Sequence, residues 1–320
     1  MKFIGALDKD VLLNHDGLEF ESKVSKKTGE ALEFPMTAKR RYKGQSFQVF
    51  DNCTIGNGSI HKYWQNGTNW KDFDLIQFKE ALRFYCKEFG INPKETRLQN
   101  LEFGINIITS FKHSKESLKK MFVSYKGKPF EFMESKGKEV LGVVCKLSHY
   151  QIKIYSKAIQ YGLSENVLRI EIKCTKMQKI SKLPLYLSDL LSPTLIAELR
   201  KELIQVVKDI IIMDNSLVGL TDKGEIFLLQ VANANYWNDL TRTQRNRAKN
   251  KYSKLVTDKS LKHFQEKLIQ TVVKKCNVIT SCIKGNNVTL TDYYITELRS
   301  KNILQFESSI WNYEEGFSKL

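Results

Sequence analysis

What this sequence lacks narrows its chemistry before any motif is considered. No apolar run approaches the roughly 20 residues needed to span a bilayer. No Cys-x-x-Cys pair occurs, and Cys53, Cys86, Cys145, Cys174, Cys276 and Cys282 are scattered with no histidine nearby, which argues against structural zinc and suits a reducing compartment. The five histidines are isolated, so no His-hydrophobic-His pair exists to ligate a metal. Internal repeats and low-complexity linkers are missing too. Acidic charge is in short supply: 35 Asp and Glu face 51 Lys and Arg, leaving a net charge of +16. Such an excess points to a polyanionic partner, and nucleic acid is the usual one. No basic amphipathic helix with aromatic anchors stands out, so no membrane partner is expected. The first residues reach Asp8 too soon for a secretory signal, and a cytoplasmic location is expected.

What is present reads as β structure, then helices. With 320 residues the chain is long enough for two domains. Ala31–Phe34 and Ser46–Phe50 alternate around a turn at Lys27–Glu30 and a basic loop, Lys39-Arg40-Arg41-Tyr42-Lys43. Gly56 and Gly58 permit close approach of a ligand or a neighbour, and Ser59, His61 and Tyr63 are expected on one strand face. Leu75, Phe78, Leu82, Cys86 and Phe89 recur at helical spacing, with Asp72 or Asp74 as the cap and Gly90 and Pro93 as the stop. Leu101, Phe103, Ile105 and Ile107 alternate with Glu102 and Asn106 as a strand, and a helix is expected over Ser114–Phe122.

The pattern changes near residues 184–193. Ser192-Pro193 predicts a helix running to about Met213. Asp222-Lys223-Gly224 reads as a turn before Ile226–Leu229. Thr241-x-x-Gln244 has capping-box form, and Asp258 is the expected cap of a helix burying Leu261, Phe264, Leu268 and Val272. Between Arg242 and Lys275 there are eleven Lys and Arg against two acids, so phosphate contacts are expected from Arg242, Arg245, Arg247, Lys249 and Lys251.

The chemistry concentrates in Val144–Lys173. Ile152 and Ile154 fall on one side of a strand, with Lys153, Tyr155 and Lys157 on the other. Leu168, Ile170 and Ile172 alternate likewise with Arg169, Glu171 and Lys173. If the apolar sides share a core, the polar residues meet on an open face. Together with His61, Glu102 and Asn106 they suggest a divalent-cation site, Mg2+ or Mn2+, beside a tyrosine nucleophile. Lys157 would hold the phosphate, with Lys153 and Arg169 as DNA contacts. Tyr150 and Tyr161 remain rivals to Tyr155, and Glu102 and Glu171 could equally pair with Lys153 and Arg169 across the sheet.

Ile154-Tyr155-Ser156-Lys157 and Leu168-Arg169-Ile170-Glu171-Ile172, with Ser59-Ile60-His61-Lys62 and Leu101-Glu102-Phe103 upstream, resemble rolling-circle replication initiators of bacterial plasmids and filamentous phages. The resemblance covers about residues 45–180. It implies an α+β fold, a mostly antiparallel sheet with helices on one face, as a nicking domain at 1–190, followed by a smaller, mainly helical basic domain at 191–320. It implies that Tyr155 nicks one strand at an origin and stays joined to the 5′ phosphate, leaving a 3′ hydroxyl. Glu102, Glu171, His61 and Asn106 would be the cation's candidate ligands. The expected partners are origin DNA, single-stranded or supercoiled, and a host helicase, with the protein a homodimer. The missing His-hydrophobic-His pair departs from many such enzymes and shifts the ligands to carboxylates. The competing class is a non-enzymatic origin- or operator-binding protein whose tyrosine is structural. A tyrosine recombinase would need an Arg/His set that the chain does not offer.

Overall fold

The computed structural model describes residues 1–133 and 140–280; Cys282 and the end of the expected 191–320 domain lie outside the described residues. The fold is α+β on a large antiparallel sheet. Contacts divide the chain into two units, one including Met1–Glu102 and Lys173–Leu199, the other Phe103–Ile172 and Arg200–Val278. The chain passes between them at Glu102, Ile172, Leu199 and Val278.

The first unit contains β1 (Lys2–Gly5), α1 (Lys9–Leu13), β2 (Phe20–Val24), β3 (Ala31–Ala38), β4 (Ser46–Val49), β5 (Thr54–Asn57), α2 (Ile60–Trp64), α3 (Leu75–Glu88) and the start of β6 (Arg97–Ile108). The strands run in the order β2-β3-β4-β5-β1-β6. Asp74 caps α3 in a reciprocal bond pair with Gln77, and Gly90 closes it at φ +59°. The helix packs on the sheet through aromatic rings: Phe3 meets Tyr85 at 6.2 Å and Phe47 meets Phe89 at 4.8 Å. Gly56 serves this core, because a Cβ there would lie 2.0 Å from the Phe3 ring; Gly58 makes room for Gln45 in the same way. Both glycines therefore accommodate neighbouring side chains.

The second unit takes the end of β6, then α4 (Lys115–Met121), β7 (Phe122–Tyr125), β8 (Lys128–Pro129), β9 (Glu131–Phe132), β10 (Gly142–Lys146), β11 (Tyr150–Ser156), α5 (Lys157–Tyr161) and β12 (Val167–Cys174). The strand order here is β6-β12-β11-β10-β9. After α6 (Pro193–Asp209) come β13 (Ile210–Ile212), α7 (Asp222–Ala232), α8 (Ala234–Asp239), α9 (Arg242–Lys259) and α10 (Phe264–Thr280). A smaller sheet, β13-β7-β8, carries a core of Val123, Ile211, Met213, Phe227, Val231, Trp237, Ala248 and Tyr252.

Three expectations are corrected in this region. The helix expected to reach Met213 ends at Asp209, and Ile210–Ile212 pair with β7 instead. Three consecutive β-branched residues are stiff at χ1 and favour a strand over a fourth helical turn. Asp222-Lys223-Gly224 is the first turn of α7, because the Thr221 hydroxyl accepts from the Gly224 amide at 3.3 Å. Asp258 lies inside α9, and Leu261 is 70% exposed in the connection, while Phe264, Leu268 and Val272 are buried as expected.

Tyr252 ties α9 to this core. Its hydroxyl donates to the Ile212 carbonyl at 3.0 Å and accepts from the Asp214 amide at 2.9 Å, all in buried surroundings. Tyr252→Phe leaves a buried donor and a buried acceptor unpaired, so it lowers stability by about 1–3 kcal/mol in denaturant unfolding. An unchanged midpoint would mean that water replaces the hydroxyl.

Candidate functional site

In the second unit β6, β12 and β11 bring one polar cluster together around Glu171. Lys153 Nζ donates to its Oε1 at 3.0 Å, Arg169 Nε to its Oε2 at 2.7 Å, and the Tyr155 hydroxyl to Oε2 at 3.3 Å. Arg169 Nη1 reaches Asn106 Oδ1 at 3.0 Å. Lys157 Nζ sits 4.9 Å from the centre of the Tyr155 ring and 5.3 Å from that of Tyr161, and donates to Gln160 Oε1 at 2.8 Å. Two glycines flank the cluster at close quarters. A Cβ on Gly104 would lie 2.2 Å from the Ile170 carbonyl oxygen and 2.5 Å from Glu171 Cβ; one on Gly142 would lie 2.6 Å from Tyr155 Cβ.

The expected open face is a covered one. Tyr155, Arg169 and Glu171 are 8%, 8% and 3% exposed, and Lys157 only 1%. Alternation specifies two sides of a sheet, but it does not say whether the polar side meets water. These charges tolerate burial because they satisfy one another. Burial alone would push the Glu171 carboxyl up, but the positive charges of Arg169 and Lys153 outweigh it and hold the group well below the usual carboxylate range. Lys157 also leaves the strand: Ser156 caps α5, and Lys157 is that helix's first residue.

The other sequence candidates are placed elsewhere. His61 is not on a strand with Ser59 and Tyr63. Ser59 accepts from the Lys62 amide at 3.3 Å and starts α2, so His61 is helical and stacks on Phe73 at 4.5 Å in the first unit. Glu102 falls in the first unit and pairs with Lys173 at 2.8 Å. Tyr150 shares a buried hydrogen bond with Tyr125 at 3.1 Å. Along α9, Arg245 donates to the Leu240 carbonyl at 2.9 Å, Lys249 pairs with Asp209 at 2.7 Å, and Lys251 lies 4.0 Å over the Phe227 ring, whereas Arg242 and Arg247 extend into solvent.

The proposed cation ligands do not form a cation site as they stand. The Glu171 and Glu102 carboxylates each face ammonium or guanidinium groups, and Asn106 Oδ1 accepts from Arg169. Among the described residues no group of three or more His, Cys, Asp or Glu is placed to hold a metal ion.

Sequence reasoning missed two constellations. The first is a buried chain beside the Tyr155–Lys157 turn: Thr109 Oγ1 to His113 Nε2 at 2.6 Å and His113 Nδ1 to Ser156 Oγ at 3.0 Å. Thr109 Oγ1 lies within reach of the Phe111 and Asn166 carbonyls, and Ser156 Oγ accepts from the Ile159 amide. The chain closes if Nε2 carries the proton and donates to Thr109 while Ser156 donates to Nδ1. Burial lowers His113 to about 4 from 6.5. A lone histidine in sequence gives no sign of this.

The second, in the first unit, surrounds Glu88, which accepts from Tyr63 and lies 3.2 Å from His15 Nε2 and 3.7 Å from Lys43 Nζ. Burial raises its carboxyl, but hydrogen bonds from Tyr63, Tyr42 and His15 lower it further, to a net fall. The spacing between Lys43, Tyr63 and Glu88 carries no local motif.

Two outcomes follow for stability. Glu171→Gln removes the carboxylate that Arg169 and Lys153 share and costs about 3–5 kcal/mol in urea unfolding; a loss below about 1 kcal/mol would mean the cluster is solvated. His113 binds its proton more weakly folded than unfolded, so its contribution is complete above pH 6.5 and lost as pH falls toward about 4. The full loss is about 3 kcal/mol. Between about pH 6.5 and 5, above the range in which the lowered Glu171 and Glu88 carboxyls contribute, His113→Gln flattens the slope if the assignment is right and leaves it unchanged if it is wrong.

No protein-family model, curated protein or solved structure gives a significant match to this chain, so the functional reading rests on the geometry and on the short motifs.

Proposed function

We propose that this protein initiates replication by nicking one DNA strand through Tyr155. The observation that carries the reading is the hydrogen bond from the Tyr155 hydroxyl to Glu171, beneath the Lys157 ammonium and beside Lys153 and Arg169. In the reaction the phenol oxygen forms a bond to phosphorus and the P–O3′ bond breaks. Glu171 orients the phenol, the phenolic proton passes to water, and the leaving 3′ oxygen takes a proton from water. Lys157 supplies positive charge next to the oxygen that becomes anionic on the way to the transition state. The product is a 5′-phosphotyrosyl link and a free 3′ hydroxyl. Because Tyr155 is covered, the α5 turn has to open for a backbone phosphate to reach it. The net charge of +16 and the solvent-facing cations of α9 suit a DNA partner.

A second reading, a DNA-binding protein without nicking activity, is favoured by one observation: Tyr155 and Glu171 are buried and mutually satisfied, as a structural network would be. The two part in one assay. Incubation with supercoiled or single-stranded origin DNA and Mg2+ or Mn2+ should give an adduct resistant to detergent, with the DNA-linked peptide containing Tyr155. Tyr155→Phe should abolish the adduct while leaving DNA binding unchanged. Binding without any adduct establishes the second reading, and an adduct on Tyr161 moves the nucleophile into α5.

A further inference from the structure

The two sides of α9 have different tasks. One side is fixed: Ala248 and Tyr252 sit in the core formed with α7, α8 and the small sheet, Arg245 bonds to Leu240, and Lys249 pairs with Asp209. The other side is bare. Arg242, Thr243, Asn246, Arg247, Asn250 and Lys254 are all exposed, and their side chains make no hydrogen bond or ion pair with any described residue. At 3.6 residues per turn they fall within an arc of about 140°.

The composition of that arc is selective. It has no apolar side chain to enter a membrane interface. It has no carboxylate before Asp258 in the last turn. Arginine and asparagine are the side chains that pair two bonds at a time with guanine and adenine edges, while lysine and threonine suit phosphates. An α-helix about 10–12 Å across matches a B-DNA major groove about 12 Å wide. From Arg242 to Lys254 the arc spans about 18 Å, or about five base pairs at 3.4 Å each. The deep, narrow major groove of duplex RNA would not admit it.

We infer that α9 is a recognition helix that reads a short duplex DNA sequence in the major groove, through the solvent-facing row Asn246, Arg247 and Asn250, with Arg242 and Lys254 on phosphates. Arg245, Lys249 and Lys251 hold the helix to its own unit and take no part in readout. This deepens the functional proposal in its choice of DNA as partner, but it is independent of Tyr155 and of any nicking.

The test uses the full chain carrying Tyr155→Phe, so that covalent chemistry plays no part. Selection from a random duplex pool should enrich one motif of about five base pairs. On that duplex, Asn250→Ala and Arg247→Ala should each weaken binding roughly ten- to hundred-fold and relax preference at one position. Arg247→Lys keeps the charge and should retain binding to random duplex while losing the preference. Lys254→Ala should weaken binding to every sequence alike and flatten the salt dependence. Lys249→Ala should lower the melting temperature without changing the motif. The inference is overturned if no motif is enriched, or if Asn250→Ala and Arg247→Ala bind the enriched duplex as the parent does. It is equally overturned if these substitutions remove binding to phosphatidylserine vesicles and leave duplex binding untouched. A full chain without Tyr155→Phe that enriches the same motif and forms no adduct sinks the nicking proposal alone.

Discussion

The carboxylate of Glu171 is the point on which the second unit's central sheet depends. It is almost wholly removed from water, yet it stays ionised because Arg169 lies beside it on its own strand and Lys153 reaches it from β11. Either cation alone would leave one carboxylate oxygen poorly satisfied, and the carboxylate alone would have to take up a proton. The arrangement carries a net positive charge before Lys157 is counted.

The same cluster sets the difficulty of the proposed reaction. Tyr155 is held by the hydrogen bond from its hydroxyl to Glu171 and by packing against Lys157, so its position is well defined and its access is poor. Beside it, Ser156 is bonded at once to His113 and to the first turn of α5. Opening that turn would break the cap as well as move the tyrosine. A neutral His113 with its proton on Nε2 leaves Ser156 free to act as donor to the ring and as acceptor from the helix, which keeps the turn intact. The residues flanking the candidate nucleophile are thus tied to β6 and its following loop, which no spacing argument could have suggested.

Much of the secondary structure was legible because it is written locally. Asp74, one of the two expected caps, starts α3, the Thr241–Gln244 capping pair forms as its spacing implies, Ser192-Pro193 opens α6, and the alternation of residues 150–156 and 167–174 gives two strands. Where local signals competed, the reading failed. Ser59 looked like part of a strand but serves as a cap, and the Ile210–Ile212 run left its helix for a strand partner far away in sequence. The site was half legible: Lys153, Tyr155, Arg169, Glu171 and Asn106 do meet. Their coverage was not legible, since burial depends on what packs over a sheet and alternation records only its sides. Glu102 and His61 belong with the first unit, and their polarity alone gave no hint of that.

Charge poses the same problem on α9, and the structure answers it differently. By sequence its cations are equivalent, a dense basic stretch in which each residue is as good a phosphate contact as the next. Once the helix is docked they divide by angle. Arg245, Lys249 and Lys251 fall on or beside the buried stripe and find a carbonyl, a carboxylate and an aromatic face, whereas Arg242, Arg247 and Lys254 share the outer side with Asn246 and Asn250. A helix needing only solubility could scatter acids among those positions, yet none appears until Asp258. Removing carboxylates from one face raises self-repulsion along the helix, a cost that is recovered only when an anion lies against it. The alternation of arginine with asparagine adds hydrogen-bonding groups that a purely electrostatic contact would not use, and base edges are where such groups find matching partners.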